Sequence, residues 1–346
     1  MLVKDEDLKN SILKTIEVNF SKNLKSFNFL GEYEVYNKPT KDLIFCSYKK
    51  LGSIIDVFFI SLLEQIKKNS TYHFLIKDDK FDQCVKDLFK YITVKSNTVS
   101  KVLLKEYVSV KNRNNQQFEM LIIYIKSIKK YYSYNYISCY TKLRNCHAPE
   151  ILDENKIHLC PYCKRNYINI VTIDKKKNDL HIKPDLDHYY AKALYPFLAI
   201  SIENLIPSCQ TCNSRLKKEK DFYIEKHYQP LIKNEDIFEQ IEFGYLDDQI
   251  YIKNLEDFKN NQKAKNTIET FHIKEVYSSH HEVVFSLKNK YKRYTKANRT
   301  QLKKLLPTLT ESVLLDIVFY EYRHINKKTE PLYKLKKDLY KIIVES

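Results

Sequence analysis

The chain has 346 residues, of which 43% are hydrophobic and 29% charged, so a disordered protein is excluded and there is room for one large or two ordinary domains. Its net charge of +16 favours a polyanionic partner, although a generally basic surface explains it equally well. The most apolar stretch, Val57 to Leu63, is too short to cross a bilayer, and no secretory signal follows Met1. We therefore expect a cytoplasmic protein without membrane contact.

Residues 1–150 are predicted to form a helical region of unknown role. Apolar residues recur at helical spacing from Ile54 to Ile66, after Gly52-Ser53, and again from Asp79 to Tyr91 and from Phe118 to Ile128. Such stripes are typical of a packed core and do not indicate a ligand site.

Residues 151–230 differ in character and are predicted to form a small α+β insert. The β-branched run Tyr167 to Ile173 predicts a strand, residues 174–179 a turn, and Leu180 to Leu186 a second strand. A short exposed helix is predicted from Ser214 to Phe222.

Residues 231–346 are predicted to form a hairpin and then helices that pack on the insert. The hairpin strands, Ile237 to Phe243 and Gln249 to Ile252, flank Gly244, and the helical pattern is broken near Pro307. The predicted fold class is therefore mainly α, with a small α+β insert flanked by helical regions.

Two Cys-x-x-Cys pairs lie in the insert: Cys160 with Cys163, and Cys209 with Cys212. This spacing lets both thiolates of a pair reach one metal ion, and four thiolates complete a tetrahedral Zn²⁺ site. A closed site has no position for water, so this zinc would be structural. On its own, a four-cysteine ribbon is about as often a non-catalytic binding module as it is part of an enzyme.

Polar residues between and after these pairs suit phosphodiester hydrolysis. A histidine such as His188 can deprotonate water, and a hard cation such as Mg²⁺ can neutralise charge on the phosphate. One carboxylate and one amide oxygen can anchor Mg²⁺. Asp187 is predicted to end a strand and Asn213 to open a helix, so folding can bring both to one ion.

The order Asp187-His188, Asn204, Asn213 around the cysteine pairs resembles the HNH endonucleases with a ββα-metal finger, and in particular their four-cysteine branch. The resemblance covers about residues 160–222. A weaker likeness over residues 267–294 is to HNH proteins of bacterial anti-phage systems.

The resemblance implies a role for each of these residues. His188 would be the general base, and Asp187 and Asn213 would hold a catalytic Mg²⁺ or Mn²⁺. Asn204 would brace the loop and orient His188 by hydrogen bonding, although an asparagine before Leu-Ile-Pro is also a good turn residue. Asp185 is either a supporting carboxylate or a solvated strand end.

The resemblance also implies cleavage of DNA to 5′-phosphate and 3′-hydroxyl ends. By analogy with Septu-like and retron-associated nuclease subunits, it implies an ATPase partner in anti-phage defence. Two alternatives stay open. One is an HNH ribonuclease acting on RNA such as tRNA, because the finger grips a phosphate and not a 2′-hydroxyl. The other is an inactive zinc-stabilised nucleic-acid-binding or scaffold subunit.

The chain departs from the family pattern after Asp187-His188, where Ala191-Lys192-Ala193 stands in place of the Pro-Lys-Ser common in relatives. The candidate phosphate contacts are basic, although such side chains are usually just solvated. They are Lys192, Arg215, Lys217 and Lys218. The basic stretch Lys288 to Lys304 is either a nucleic-acid-binding helix or a solvated face.

Overall fold

The structure is a computed structural model, and it describes residues 3–23, 39–93, 99–172, 181–182, 184–247 and 249–345. In this part of the chain helices predominate, and the strands form two-stranded antiparallel ladders. The predicted mainly helical class with small strand elements is confirmed at this level. The predicted turn at residues 174–179 lies outside the described residues.

The helical N-terminal region ends in an unusually long helix. Its helices are α1 (Glu6–Asn23), α2 (Lys41–Ile44), α3 (Tyr48–Lys68), α4 (His73–Ile76), α5 (Phe81–Tyr91), α6 (Lys101–Glu106), α7 (Val108–Arg113) and α8 (Asn115–Asn155). The three predicted helices are confirmed as parts of α3, α5 and α8. Helix α8 has 41 residues and continues through Pro149 and across the predicted boundary at residue 150. A proline removes one backbone donor, and here it does not end the helix.

Helix α8 is the centre of a core that the insert shares. On one side, the ring of Phe20 in α1 meets Tyr136 edge-on, with centroids 5.9 Å apart. Elsewhere the fully buried Phe197 of the insert stacks on Phe58 of α3 at 4.0 Å and meets Tyr132 of α8 edge-on. The insert is therefore anchored in the helical region by a large apolar side chain.

The described strands form three antiparallel pairs, β1 with β2, β3 with β4, and β5 with β6. They are β1 (Val171–Thr172), β2 (His181–Ile182), β3 (Asp185–His188), β4 (Leu205–Ser208), β5 (Phe243–Leu246) and β6 (Gln249–Ile252). After β4 comes a π-helix, Thr211–Lys217, which we call the site helix. Strands β3 and β4 and the site helix thus make a strand–strand–helix unit.

The strand prediction for the insert was wrong in its pairing. The strand predicted at Leu180–Leu186 is split, since β2 pairs with β1 whereas β3 pairs with β4. Pro184 lies between the two parts, and it has no N–H to donate to a ladder. Of the strand predicted at Tyr167–Ile173, the described part retains only β1. Asp187 was predicted to end the second strand, and it lies inside β3.

The helix and hairpin predicted further along are also shifted. The helix predicted at Ser214–Phe222 begins earlier, as the site helix. Residues Ile237–Glu239 form a 3₁₀ turn and not a strand, because the Asp236 carboxylate accepts the Phe238 N–H and caps that turn. Gly244 lies within β5 facing Tyr251, whose ring leaves no room for a Cβ.

The remaining helices lie after the site helix, and α11 (Ile273–Ser278) contacts the cysteine segment. They are α9 (Phe222–Glu225), α10 (Gln262–Thr270), α11 (Ile273–Ser278), α12 (His281–Arg293), α13 (Lys296–Leu305), α14 (Glu311–Arg323) and α15 (Tyr333–Ile343). Short 3₁₀ turns occur at Ser70–Tyr72, Pro196–Leu198, Ile202–Asn204, Lys233–Glu235 and Leu255–Phe258. The predicted break near Pro307 is confirmed between α13 and α14. The Tyr277 hydroxyl donates to the Cys163 carbonyl at 2.8 Å, which joins α11 to the insert.

Candidate active site and metal centre

The four predicted zinc ligands converge on one point. The Sγ atoms of Cys160, Cys163, Cys209 and Cys212 all lie within 4.8 Å of one another, and the four residues are buried. Hydrogen bonding to the Cys160 thiol lowers the pKa of Cys163 and of Cys209, whereas burial raises the pKa of Cys160 and hydrogen bonding with Cys160 raises that of Cys212. A metal requires all four as thiolates. This cluster can hold a metal ion such as zinc.

One cysteine pair precedes the strand–strand–helix unit in the chain, and the other lies at the junction of β4 and the site helix. Cys160 and Cys163 lie in a turn that closes with the Lys164 N–H donating to the Cys160 carbonyl at 2.8 Å. Cys209 follows β4 directly, and Cys212 lies in the site helix. A metal at this point therefore ties the start of the insert to the helix that carries Asn213.

His188 is buried at the end of β3 and is held in one tautomer. Its Nε2 is 3.0 Å from the Ala199 carbonyl oxygen, which can only accept, so Nε2 carries the proton and Nδ1 keeps a lone pair. Among the described residues, Nδ1 has no hydrogen-bond partner. The ring also meets Tyr140 edge-on, with centroids 4.4 Å apart. The imidazole is thus oriented with one nitrogen able to accept a proton.

Burial, followed by the positive charges of Lys192 and Lys217, lowers the pKa of His188 to about 3. The ring is therefore neutral at neutral pH, as a general base must be. A phosphate anion bound near these cations would offset their charge and raise the pKa of His188 toward the range in which a base works best.

Asn204 was predicted to brace the loop and to orient His188 by hydrogen bonding, and its side-chain hydrogen bonds go to the loop and not to the imidazole. Its Oδ1 accepts from the Tyr190 N–H at 2.8 Å, and its Nδ2 donates to the carbonyls of Tyr190 and Leu198. The side chain therefore closes the loop between β3 and β4. That loop includes Ala199, so the effect of Asn204 on His188 is indirect.

Asp187 is buried, and its carboxylate accepts hydrogen bonds from two side chains. Its Oδ2 accepts from the Tyr162 hydroxyl at 2.7 Å, and its Oδ1 from the Lys217 ammonium at 3.0 Å. Lys217 also donates to the His188 carbonyl at 2.7 Å and is only 1% exposed. Lys217 was predicted to contact phosphate, and instead it binds β3. The π-helical turn, closed by Lys218 N–H to Asn213 carbonyl at 2.9 Å, brings this lysine under the strand.

Asn213 is held by a carboxylate that was not among the predicted ligands. Its Nδ2 donates to Asp185 Oδ2 at 3.0 Å, so its own carbonyl oxygen is the atom that remains to accept or coordinate. Asp185 is half-buried and is also 3.7 Å from Arg144. It supports Asn213 and is not a solvated strand end.

One cavity of about 300 Å³ is lined by side chains of β3, of the site helix and of α8. The polar lining residues are Tyr140, Arg144, Asp185, Asp187, His188, Lys192, Asn213, Lys217, Lys218 and Glu219. Carboxylate and amide oxygens are the donor types that Mg²⁺ or Mn²⁺ prefers, and both oxygens of Asp187 already accept hydrogen bonds, from Tyr162 and Lys217. The Lys217 ammonium beside Asp187 opposes such an ion by charge.

Of the other predicted phosphate contacts, two line the cavity and one does not. Lys192 and Lys218 line the cavity, whereas Arg215 is exposed and is not among the residues that line it. In the basic stretch, Lys290 pairs with Glu321, and Arg299 and Lys303 pair with Glu311. Three of its cations are therefore partly neutralised by carboxylates of α14.

Two residues that sequence reasoning missed, Tyr140 and Arg144, come from α8. They lie on the same face of that helix, one turn apart, and both line the cavity. No local motif surrounds them, and more than forty residues separate them from β3. Only the docking of α8 on the insert reveals them.

Comparisons with protein-family models, with curated proteins and with solved structures find no match to this chain. Over the described residues, the helices include none with the length and apolar content needed to traverse a membrane.

Replacing Lys217 with methionine is expected to lower the free energy of unfolding by about 3–5 kcal/mol. The change keeps the buried aliphatic stem but leaves the Asp187 carboxylate buried without its ammonium partner. Urea unfolding at neutral pH measures the effect. Lys218→Met is the matched control, because the neighbouring lysine is exposed and should change stability by about 0.5 kcal/mol or less. Equal unfolding midpoints for the two variants would contradict the structural role of this ion pair.

Proposed function

We propose that the chain is a metal-dependent HNH endonuclease that hydrolyses phosphodiester bonds of DNA. The observation that carries the proposal is the convergence of Asp185, Asp187, His188 and Asn213 in one cavity, on a strand–strand–helix unit closed by the four-cysteine cluster. A role in anti-phage defence with an ATPase partner belongs to the same proposal and rests on the sequence resemblance alone.

In the proposed reaction, His188 Nδ1 takes a proton from a water molecule whose oxygen attacks the phosphorus. The bond from phosphorus to the 3′ oxygen breaks, the departing 3′ oxygen takes a proton from solvent water, and the products carry a 5′-phosphate and a 3′-hydroxyl. The Ala199 carbonyl keeps the proton on Nε2, and the edge of Tyr140 holds the ring plane. Tyr140 also binds β3 itself, through the Leu186 carbonyl.

Asp187 and Asn213 would hold Mg²⁺ or Mn²⁺, with Asp185 supporting Asn213, and the four cysteines would hold Zn²⁺. A bound divalent ion supplies charge neutralisation at the phosphate and at the leaving oxygen. Lys192 and Lys218 line the cavity and can pair with phosphate oxygens of the substrate.

The test is cleavage of supercoiled plasmid and of total RNA by the purified chain, with Mg²⁺ or Mn²⁺, and with a reaction lacking both ions as control. Metal-dependent nicking of the plasmid supports the proposal. Loss of RNA alone would replace DNA with RNA as the substrate. Binding of nucleic acid without cleavage under any metal would favour the inactive scaffold.

A further inference from the structure

Helix α8 of the N-terminal region forms one wall of the candidate cavity. Tyr140 is buried there, and its hydroxyl donates to the Leu186 carbonyl at 3.1 Å, which fixes α8 against β3. Arg144 follows one turn later on the same face, and its side chain is 38% exposed. The helix therefore supplies a buried aromatic ring and a partly exposed cation to the lining of the cavity.

A second cation lines the same cavity. The Lys192 ammonium lies 4.5 Å from the centroid of the Tyr140 ring, and Lys192 and Arg144 both line the cavity. Burial and then the positive charge of Arg144 lower the pKa of Lys192, so each cation disfavours the other. An anion placed at both groups would relieve that repulsion.

We propose that Arg144, together with Lys192, binds a phosphodiester group of the substrate next to the scissile one. The inference rests on the proposed function and extends it to a residue outside the HNH-like segment. The guanidinium has a rigid fork of five N–H donors, which suits two oxygens of one phosphate. The N-terminal helical region is then part of the substrate-binding surface.

The contact of Arg144 with Asp185 suggests a competing role. At 3.7 Å it is a long ion pair and not a hydrogen bond, so it orders Asp185 weakly. If Arg144 served only to hold Asp185, its loss would disturb Asn213 and leave the affinity for nucleic acid unchanged. If it binds phosphate, its loss weakens binding and reduces the salt dependence.

The experiment measures binding in the full chain carrying His188→Ala, without added Mg²⁺ or Mn²⁺ so that no cleavage occurs. A short fluorescent DNA duplex and a single-stranded RNA are titrated at several salt concentrations. Arg144→Ala is expected to weaken binding of the duplex about tenfold. It should also reduce the slope of log K against log salt by about 0.9, the value for one phosphate contact on duplex DNA.

Lys142→Ala is the matched control, since it removes one positive charge from the exposed face of α8. It should leave both affinity and slope unchanged. Arg144→Lys should restore the slope and only part of the affinity, because an ammonium cannot make the paired contact. Its retained charge also keeps the test valid if the alanine variant folds poorly.

Two results would overturn the inference in different ways. Unchanged affinity and slope for Arg144→Ala, with plasmid cleavage retained by the parent chain, would reject Arg144 as a phosphate ligand and leave the proposed function standing. Absence of binding to both nucleic acids by the parent chain, with no cleavage, would overturn the inference and the proposed function together.

Discussion

Cleavage by the His188→Ala variant is expected to fall by about 10²- to 10⁴-fold, the usual contribution of a general base. The structure gives the physical reason. The Ala199 carbonyl keeps the proton on Nε2, and the low pKa leaves Nδ1 unprotonated at neutral pH. Removing the ring removes the acceptor for the proton of the attacking water. Rates on supercoiled plasmid with Mg²⁺ measure the loss.

His158→Ala is the control for this prediction. His158 is exposed, lies two residues before Cys160 in the chain, and is outside the described lining of the cavity. Because His188 is buried, its loss also leaves a void, so His188→Asn is assayed beside it as a less disruptive replacement. Thermal melting establishes that each variant is folded. Cleavage at the parental rate by folded His188→Ala would show that another group is the base.

Replacing Cys209 with serine is expected to abolish stoichiometric zinc binding and to lower the melting temperature strongly. A structural zinc site in small zinc-finger peptides contributes about 10–16 kcal/mol of apparent binding free energy, and that energy supports the folded state. A serine hydroxyl does not replace a thiolate ligand. Cys209 connects β4 to the site helix, so the loss also releases Asn213 and Lys217.

Zinc content per chain and thermal unfolding measure this effect, and cleavage is expected to be lost with them. Cys146→Ser provides the control, because Cys146 is an exposed thiol of α8 outside the cluster. Treatment of the parent chain with a strong chelator should reproduce the lowered melting temperature. Full zinc content and parental melting in Cys209→Ser would refute the four-cysteine site.

Part of the site was predictable because its ligands follow local rules of spacing. A Cys-x-x-Cys pair brings two sulfurs together within one turn, so Cys160, Cys163, Cys209 and Cys212 could be grouped from the chain alone, and the structure places them together. The helices of the N-terminal region were predictable because their apolar residues repeat with the helical period.

The rest depended on packing that local patterns do not encode. Lys217 lies in a polar run that is typical of an exposed helix, and its burial follows from a π-helical turn with an extra residue. Strand β4 contains Pro207 and reads as a turn, so its pairing with β3 was missed. Arg144 enters the cavity because of the orientation of a distant helix, which no local pattern specifies.

The burial of Phe197 against Phe58 and Tyr132 has a consequence for how activity arises during synthesis. Residues 58 and 132 are translated before residue 197, so the helical region is available when the loop between β3 and β4 emerges. The Ala199 carbonyl that fixes the His188 tautomer belongs to that loop. A fragment restricted to residues 151–230 would leave Phe197 in water and His188 without the Tyr140 ring that packs against it. Under the proposed function, cleavage would therefore require the assembled chain, and a product lacking the helical region would not cleave.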